Sequence, residues 1–307
     1  MGKKKTRTWP DTPLPLAGPV MDNHTHLPVH ELQIPRADGV RISVEEQIMR
    51  ARAVGVTHQI TSACELPECE PAFRLARTYP SVRVAVAIHP NEAALHGGYA
   101  QASPDGLQPE IKEHHIALDD ALSQIENYAR DPMVVAVGET GLDYFRTAQE
   151  GREAQVRSFE AHVEIAHALS LPLQIHDRDA HADTLSLLRR CAHAGQPIVF
   201  HCFSGDASMA QVLAENGWYA SFAGPLTYPA NEDLRKALKA LPRNRVLVET
   251  DAPYLTPVPH RGSPNASYVM PHTVRYIADL WEASESETCE QLMRNSCDVY
   301  GVWDNAV

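Results

Sequence analysis

Apolar residues in this chain fall into short continuous runs rich in β-branched side chains, each followed by a segment of helical period. The runs are Val20–His24, Val56–Ser62, Val82–His89, Met133–Gly138, Leu171–His176, Ile198–His201, Trp218–Phe222 and Val246–Thr250. Apolar runs without polar alternation suit strands buried on both faces, as in a parallel sheet. Ser43-Val-Glu-Glu46 is a capping box that opens an amphipathic segment stopping at Gly55. Glu153–Ser170 carries Val156, Phe159, Val163 and Ala166 at helical spacing and ends before Pro172. Ala207–Asn216 ends at Gly217, and Glu232–Leu241 ends at Pro242. Eight strands alternating with helices over about 250 residues predict a single-domain α/β protein, a (β/α)8 TIM barrel. A doubly wound open sheet competes, but no GxGxxG follows the first strand.

The barrel is expected over 19–307, behind a flexible tail at 1–18 that is basic at its start and interrupted by Pro10, Pro13 and Pro15. Gly97–Pro109 reads as an exposed loop after the third strand. Pro253–Pro271 is a second irregular stretch, followed by helices from His272 to Trp281 and from Glu287 to Cys297.

Composition narrows the function. Apolar residues make up 44% of the chain, enough for a sizeable core, and 27 basic against 39 acidic residues leave a formal charge of −12. That balance excludes a protein held on nucleic acid by a broad basic face. No apolar stretch approaches the roughly 20 residues of a membrane span, and prolines stand where a signal peptide needs its apolar region. The expectation is no membrane association. Six cysteines without CxxC spacing read as reduced thiols in a cytoplasmic protein. The 16 histidines point toward metal.

Asp22-Asn-His24-Thr-His26 sits at the end of the first run, and strand alternation puts His24 and His26 on one side. One HxH pair is weak evidence by itself; repetition gives it weight. Glu139 closes the fourth run, His176 the fifth, His201 the sixth, and Asp251 follows the eighth. All of them occupy C-terminal strand ends, the face where barrel active sites form. Four histidines and two carboxylates on one rim read as a binuclear metal site, since six buried polar groups would otherwise each need another partner.

These stretches resemble the TatD family of metal-dependent deoxyribonucleases, within the amidohydrolase-like barrel superfamily. The matching segments are DNHTHL (22–27), IHPNEA (88–93), VGETGLDYF (137–145), LPLQIHDRDA (171–180), VFHCFSG (199–205) and LVETDAPYLTP (247–257), with a partial match at Arg261-Gly262 and Asn265. The resemblance implies His24, His26, Glu139 and Asp251 around one divalent cation, with Glu139 bridging to a second held by His176 and His201. Zinc, manganese and magnesium all suit such ligands. Asn91, where the family often has histidine, and Ala266-Ser267, where Glu-Pro is common, depart from the pattern.

The implied chemistry is a 3′-5′ exonuclease that attacks phosphodiester bonds at single-stranded DNA ends, and RNA ends by the same logic, with a metal-activated water whose proton passes to Asp251. His89 and Arg178 are candidates for substrate phosphate. Each has a bland alternative: a structural histidine before Pro90, and a salt bridge to Asp177 or Asp179. Cys202 is expected to pack away from the site, His114-His115 to be a solvated pair, and Tyr144-Phe145 to anchor a loop or stack on a base. The same ligands fit a binuclear amidohydrolase or esterase, for example an aminoacyl-tRNA deacylase. A catalytically silent metal-binding protein is the third reading, disfavoured because all six ligand positions are intact. Oligomeric state is open, and a monomer is compatible with the sequence.

Overall fold

The computed structural model describes residues 7–303. Eight parallel strands run in sequence order around a nearly closed barrel: β1 (Val20–Thr25), β2 (Val56–Ala63), β3 (Val82–Val86), β4 (Val134–Asp143), β5 (Leu173–Arg178), β6 (Ile198–Phe200), β7 (Tyr219–Phe222) and β8 (Val246–Val248). Helices alternate with them on the outside: α1 (Val44–Ala53), α2 (Leu66–Thr78), α3 (Pro90–His96), α4 (Leu118–Tyr128), α5 (Arg152–Ala168), α6 (His181–Cys191), α7 (Ala207–Glu215), α8 (Glu232–Ala240), α9 (Pro271–Trp281) and α10 (Glu285–Tyr300). The expected capping box starts α1: Ser43 Oγ accepts the Glu46 N–H. Among the described residues, no helix is long and apolar enough to cross a membrane.

Two cores result, as the continuous apolar strands require. The larger lies between strands and helices, around Phe73, Phe159, Phe200 and Phe222. The smaller fills the barrel interior at its N-terminal end, with Met21, Ile60, Ala85, Ala136, Val199 and Leu247 pointing inward and Trp303 closing the bottom.

Strand β4 departs from expectation. It does not stop at Glu139 but continues to Asp143, pairing Gly141 with His176 of β5 and Asp143 with Arg178. The glycines of Gly138-Glu-Thr-Gly141 make this approach possible. A Cβ on Gly141 would lie 2.0 Å from the His176 carbonyl oxygen, and its φ of +143° suits only glycine. A Cβ on Gly138 would lie 2.4 Å from Gln174 Cβ.

The β8–β1 seam is closed mainly by side chains. The buried carboxylate of Asp22 accepts from Thr250 N–H at 2.9 Å and Thr250 Oγ1 at 2.6 Å. Asn23 Nδ2 donates to Val248 O at 2.6 Å. Past the end of β8, Asp251 N–H bonds His24 O at 3.1 Å, and His26 N–H bonds Ala252 O at 2.7 Å. Of the expected N-terminal tail, residues 1–6 lie outside the described residues. Farther along, Tyr268 Oη donates to Pro10 O, Arg275 to Leu14 O and Pro15 O, and Ala17 N–H to Glu285.

Burial raises the Asp22 carboxyl to about 7 against the pull of the Thr250 bonds. The folded chain therefore holds a proton there that the unfolded chain releases above about 4, so this group's contribution to stability declines from pH 4 to pH 7. We expect Asp22→Asn to gain stability relative to the native chain over that interval. Denaturant midpoints of both proteins at pH 4 and pH 7 check this, and a constant difference would contradict it.

Candidate metal centre

The six ligand candidates converge at the C-terminal mouth of the barrel, and Glu139 stands between them. On one side of its carboxylate, Oε1 is 3.7 Å from His24 Nε2 and 3.5 Å from His26 Nε2. Asp251 Oδ1 faces the same two atoms at 3.9 and 3.4 Å. On the other side, Oε2 is 2.6 Å from His201 Nε2 and 2.8 Å from His176 Nδ1, and these two nitrogens are 3.2 Å apart. One carboxylate thus presents an oxygen to each histidine pair.

The donor set fits cations. His24 is completely buried; its Nδ1 is engaged by Gln174 Oε1 at 3.0 Å, and its Nε2 has no hydrogen-bond partner. A buried imidazole nitrogen aimed between two carboxylates without bonding either is placed as a ligand is placed. His24, His26 and Glu139 form one group able to hold a metal ion, His24, His201 and Asp251 another, and His89, Glu139 and His176 a third.

The imidazoles are backed unequally. Asp143 Oδ2 lies 3.2 Å from His176 Nε2, while Asp143 Oδ1 accepts the N–H groups of Phe145 and Arg146. Glu249, fully buried, lies 3.5 Å from His201 Nδ1 and accepts the Cys202 N–H at 2.7 Å. Behind His24 stand only the neutral Gln174 and Ser62. Carboxylates that hold the far nitrogen of a ligand histidine fix its tautomer and strengthen it as a donor. Asp143 itself is tied to Asn91 Nδ2 at 3.4 Å, so the asparagine at the family's histidine position takes part in this support.

Charge balance at the mouth is tight. Burial opposes charge on His26, but the Asp251 and Glu139 carboxylates outweigh it and raise its pKa to about 9. Burial likewise opposes charge on Glu139, but the imidazoles of His201, His89 and His176 hold its carboxyl well below the usual range. His89 goes the other way: burial drops it to about 3. Its Nδ1 accepts the Asn91 N–H and caps α3, which leaves the proton on Nε2, 3.8 Å from Glu139 Oε2. His89 is therefore a neutral donor facing the centre.

Several expectations change here. Cys202 was expected to pack away by strand alternation, yet it follows the end of β6 with φ +40° and lines a cavity that also takes in His26, Glu139 and Asp251. His114 and His115 are not a solvated pair, for the His115 ring is buried and both meet glutamates. Arg178 pairs with neither Asp177 nor Asp179 among the described residues; its guanidinium lies 3.9 Å over the Phe145 ring, with Arg146 also on that ring at 5.6 Å. Tyr144 is a loop anchor, bonding Asp183. Missing from the sequence reading were Asp143, Glu249, Gln174 and Cys64, whose thiol donates to Glu139 Oε1 at 3.3 Å. Asp143 was within reach, since Glu139, Gly141 and Asp143 alternate onto one face of β4.

An eight-stranded α/β barrel with histidines and carboxylates gathered at its C-terminal mouth defines a metal-dependent hydrolase. The family described as TatD related DNase matches residues 21–301, and the chain belongs to it. A Mycobacterium tuberculosis protein named as an uncharacterized metal-dependent hydrolase TatD is 36% identical, over 92% of this chain and 98% of its own. The 3′-5′ ssDNA/RNA exonuclease TatD of Klebsiella pneumoniae is 31% identical, over 86% of this chain and 94% of its own. Among solved structures, YJJV, a TatD homolog of Escherichia coli, superposes with a TM-score of 0.75 at 25% identity, over 92% of this chain and 98% of that one.

Two outcomes follow. Glu249→Gln and Asp143→Asn should weaken zinc binding by about 10- to 100-fold with the fold intact, read by competition with a chromogenic chelator. Because a cation must displace the proton on His26, zinc affinity should rise from pH 6 to pH 8, about tenfold per unit for each proton displaced.

Proposed function

We propose that this protein removes nucleotides from the 3′ ends of single-stranded DNA, and of RNA by the same chemistry, with two divalent cations. His24, His26, Glu139 and Asp251 would hold one and Glu139, His176 and His201 the other. The observation that carries this reading is the split of Glu139 between two histidine pairs, with His24 Nε2 buried and unpartnered beside it. When bound, the cations supply an activated water and neutralise charge on the phosphodiester.

The chain's own residues do the rest. Asp251 accepts the proton of the attacking water, since its carboxylate borders the centre and the cavity. His89 Nε2–H donates to a phosphate oxygen and, being neutral, stays a donor across the working pH range. Arg178 and Arg146, which share the Phe145 ring, both line a cavity of about 1240 Å3, where their guanidiniums can hold a phosphate. The cavity mouth is local and the whole chain carries −12, which suits processing of an end more than grip on a duplex. Six free cysteines suit a reducing compartment such as the cytoplasm.

A 3′-labelled single strand incubated with manganese or magnesium tests the reading. Mononucleotide release, abolished by chelator and lowered at least about 10³-fold in Glu139→Ala, is expected. Turnover of an aminoacyl ester without nucleotide release would replace it with the carbonyl-hydrolase reading, and metal binding without turnover with a silent binder.

A further inference from the structure

A second cluster of imidazoles and carboxylates lies away from the ligands at the barrel mouth. Glu65 precedes α2, Glu92 lies in the first turn of α3, and His114 and His115 stand just before α4. His114 Nε2 is 3.2 Å from Glu65 Oε2 and 3.9 Å from Glu92 Oε2, yet it is buried and makes no hydrogen bond. Ligand atoms of Glu92, His114 and His115 all lie within 4.8 Å of one another. The ring of His96, itself buried, meets His115 edge-on at 5.2 Å, and its Nε2 also has no partner.

The proton positions separate ligand from support. Lys112 N–H donates to His115 Nδ1 at 2.7 Å, so the His115 proton sits on Nε2 and points at Glu92 Oε2, 2.7 Å away. His115 is thus a donor that fixes Glu92. His114 differs: its Nε2 lies between two carboxylates at 3.2 and 3.9 Å, on either side of the roughly 3.3–3.6 Å that bonds of about 2.0–2.2 Å give around a tetrahedral ion. Burial pushes the Glu92 carboxyl up to about 7, with Glu65 adding to it, so the pair gains from a compensating cation.

We propose that Glu65, Glu92 and His114 form a binding site for a divalent transition-metal ion, with zinc the best match, and that His115 orients Glu92 within it. Imidazole with carboxylate oxygen is a donor set for such ions. The ion fastens the irregular segment between α3 and α4 to the loop after β2. Glu65 also lines a cavity of about 450 Å3 that reaches His26 and Glu139, so this staple shapes one wall beside the centre.

The test is a zinc count. The native chain, His114→Ala and Glu65→Gln are dialysed against zinc chloride, then against buffer, and metal per chain is measured by mass spectrometry. The native chain should hold one equivalent more than either variant, and the same difference should appear when His176→Ala is present in all three. That subtraction does not depend on how many ions the mouth holds. Equal counts in the native chain and Glu65→Gln, with circular dichroism unchanged, would overturn the proposal. If His114→Ala does not fold, Glu65→Gln decides alone. Zinc should also protect residues 97–116 from proteolysis in the native chain and not in Glu65→Gln.

Discussion

Closure of the barrel at the seam between β8 and β1 is the constraint on which the rest depends. Seven strand pairs are joined by parallel backbone ladders, three of them with register shifts; the eighth contact rests on the Asp22 carboxyl, the Asn23 amide and two backbone bonds to residues beyond the end of β8. Those two bonds join His24 to Asp251 and His26 to Ala252. The interactions that complete the cylinder are thus the ones that set Asp251, just past the last strand, beside His24 and His26 at the end of the first. Buried polar groups at a seam are tolerated only when each finds a partner, and Asp22 with Thr250 meets that condition.

Within the mouth, the two halves differ in what stands behind them. His176 has a carboxylate hydrogen-bonded behind it and His201 has one 3.5 Å away, whereas His24 leans on a neutral amide and a hydroxyl. Anionic support raises ligand basicity, and neutral support fixes direction without adding charge. The half with fewer carboxylates among its candidate ligands carries more of them in the layer behind. This spreads negative charge evenly around Glu139.

Much of this was legible in the sequence, for a simple reason: strands buried on both faces must be continuously apolar, and the polar residues that interrupt such runs stand out. All eight strands and all six converging residues were read that way. Glu139 was located correctly although β4 was thought to stop there; the glycines that let β4 run on to Asp143 act through a close approach to β5, which period and propensity do not record. Asp143, Glu249 and Gln174 escaped because their work is on a neighbour's far nitrogen, a relation between strands and not along one. Cys202 was misjudged because alternation was carried past the end of β6, where the backbone turns to positive φ. His114 and His115 looked solvated because a loop sequence does not show which side chains it folds inward.

The seam also has a bearing on how the protein is made. Asp22 and Thr250 are 228 positions apart, and the segment between them supplies every other strand. During synthesis His24 and His26 leave the ribosome before the other site residues, and Asp251 follows all of them. A chain made only as far as β7 therefore lacks a finished centre, and the converging side chains come together only when the last strand docks against the first.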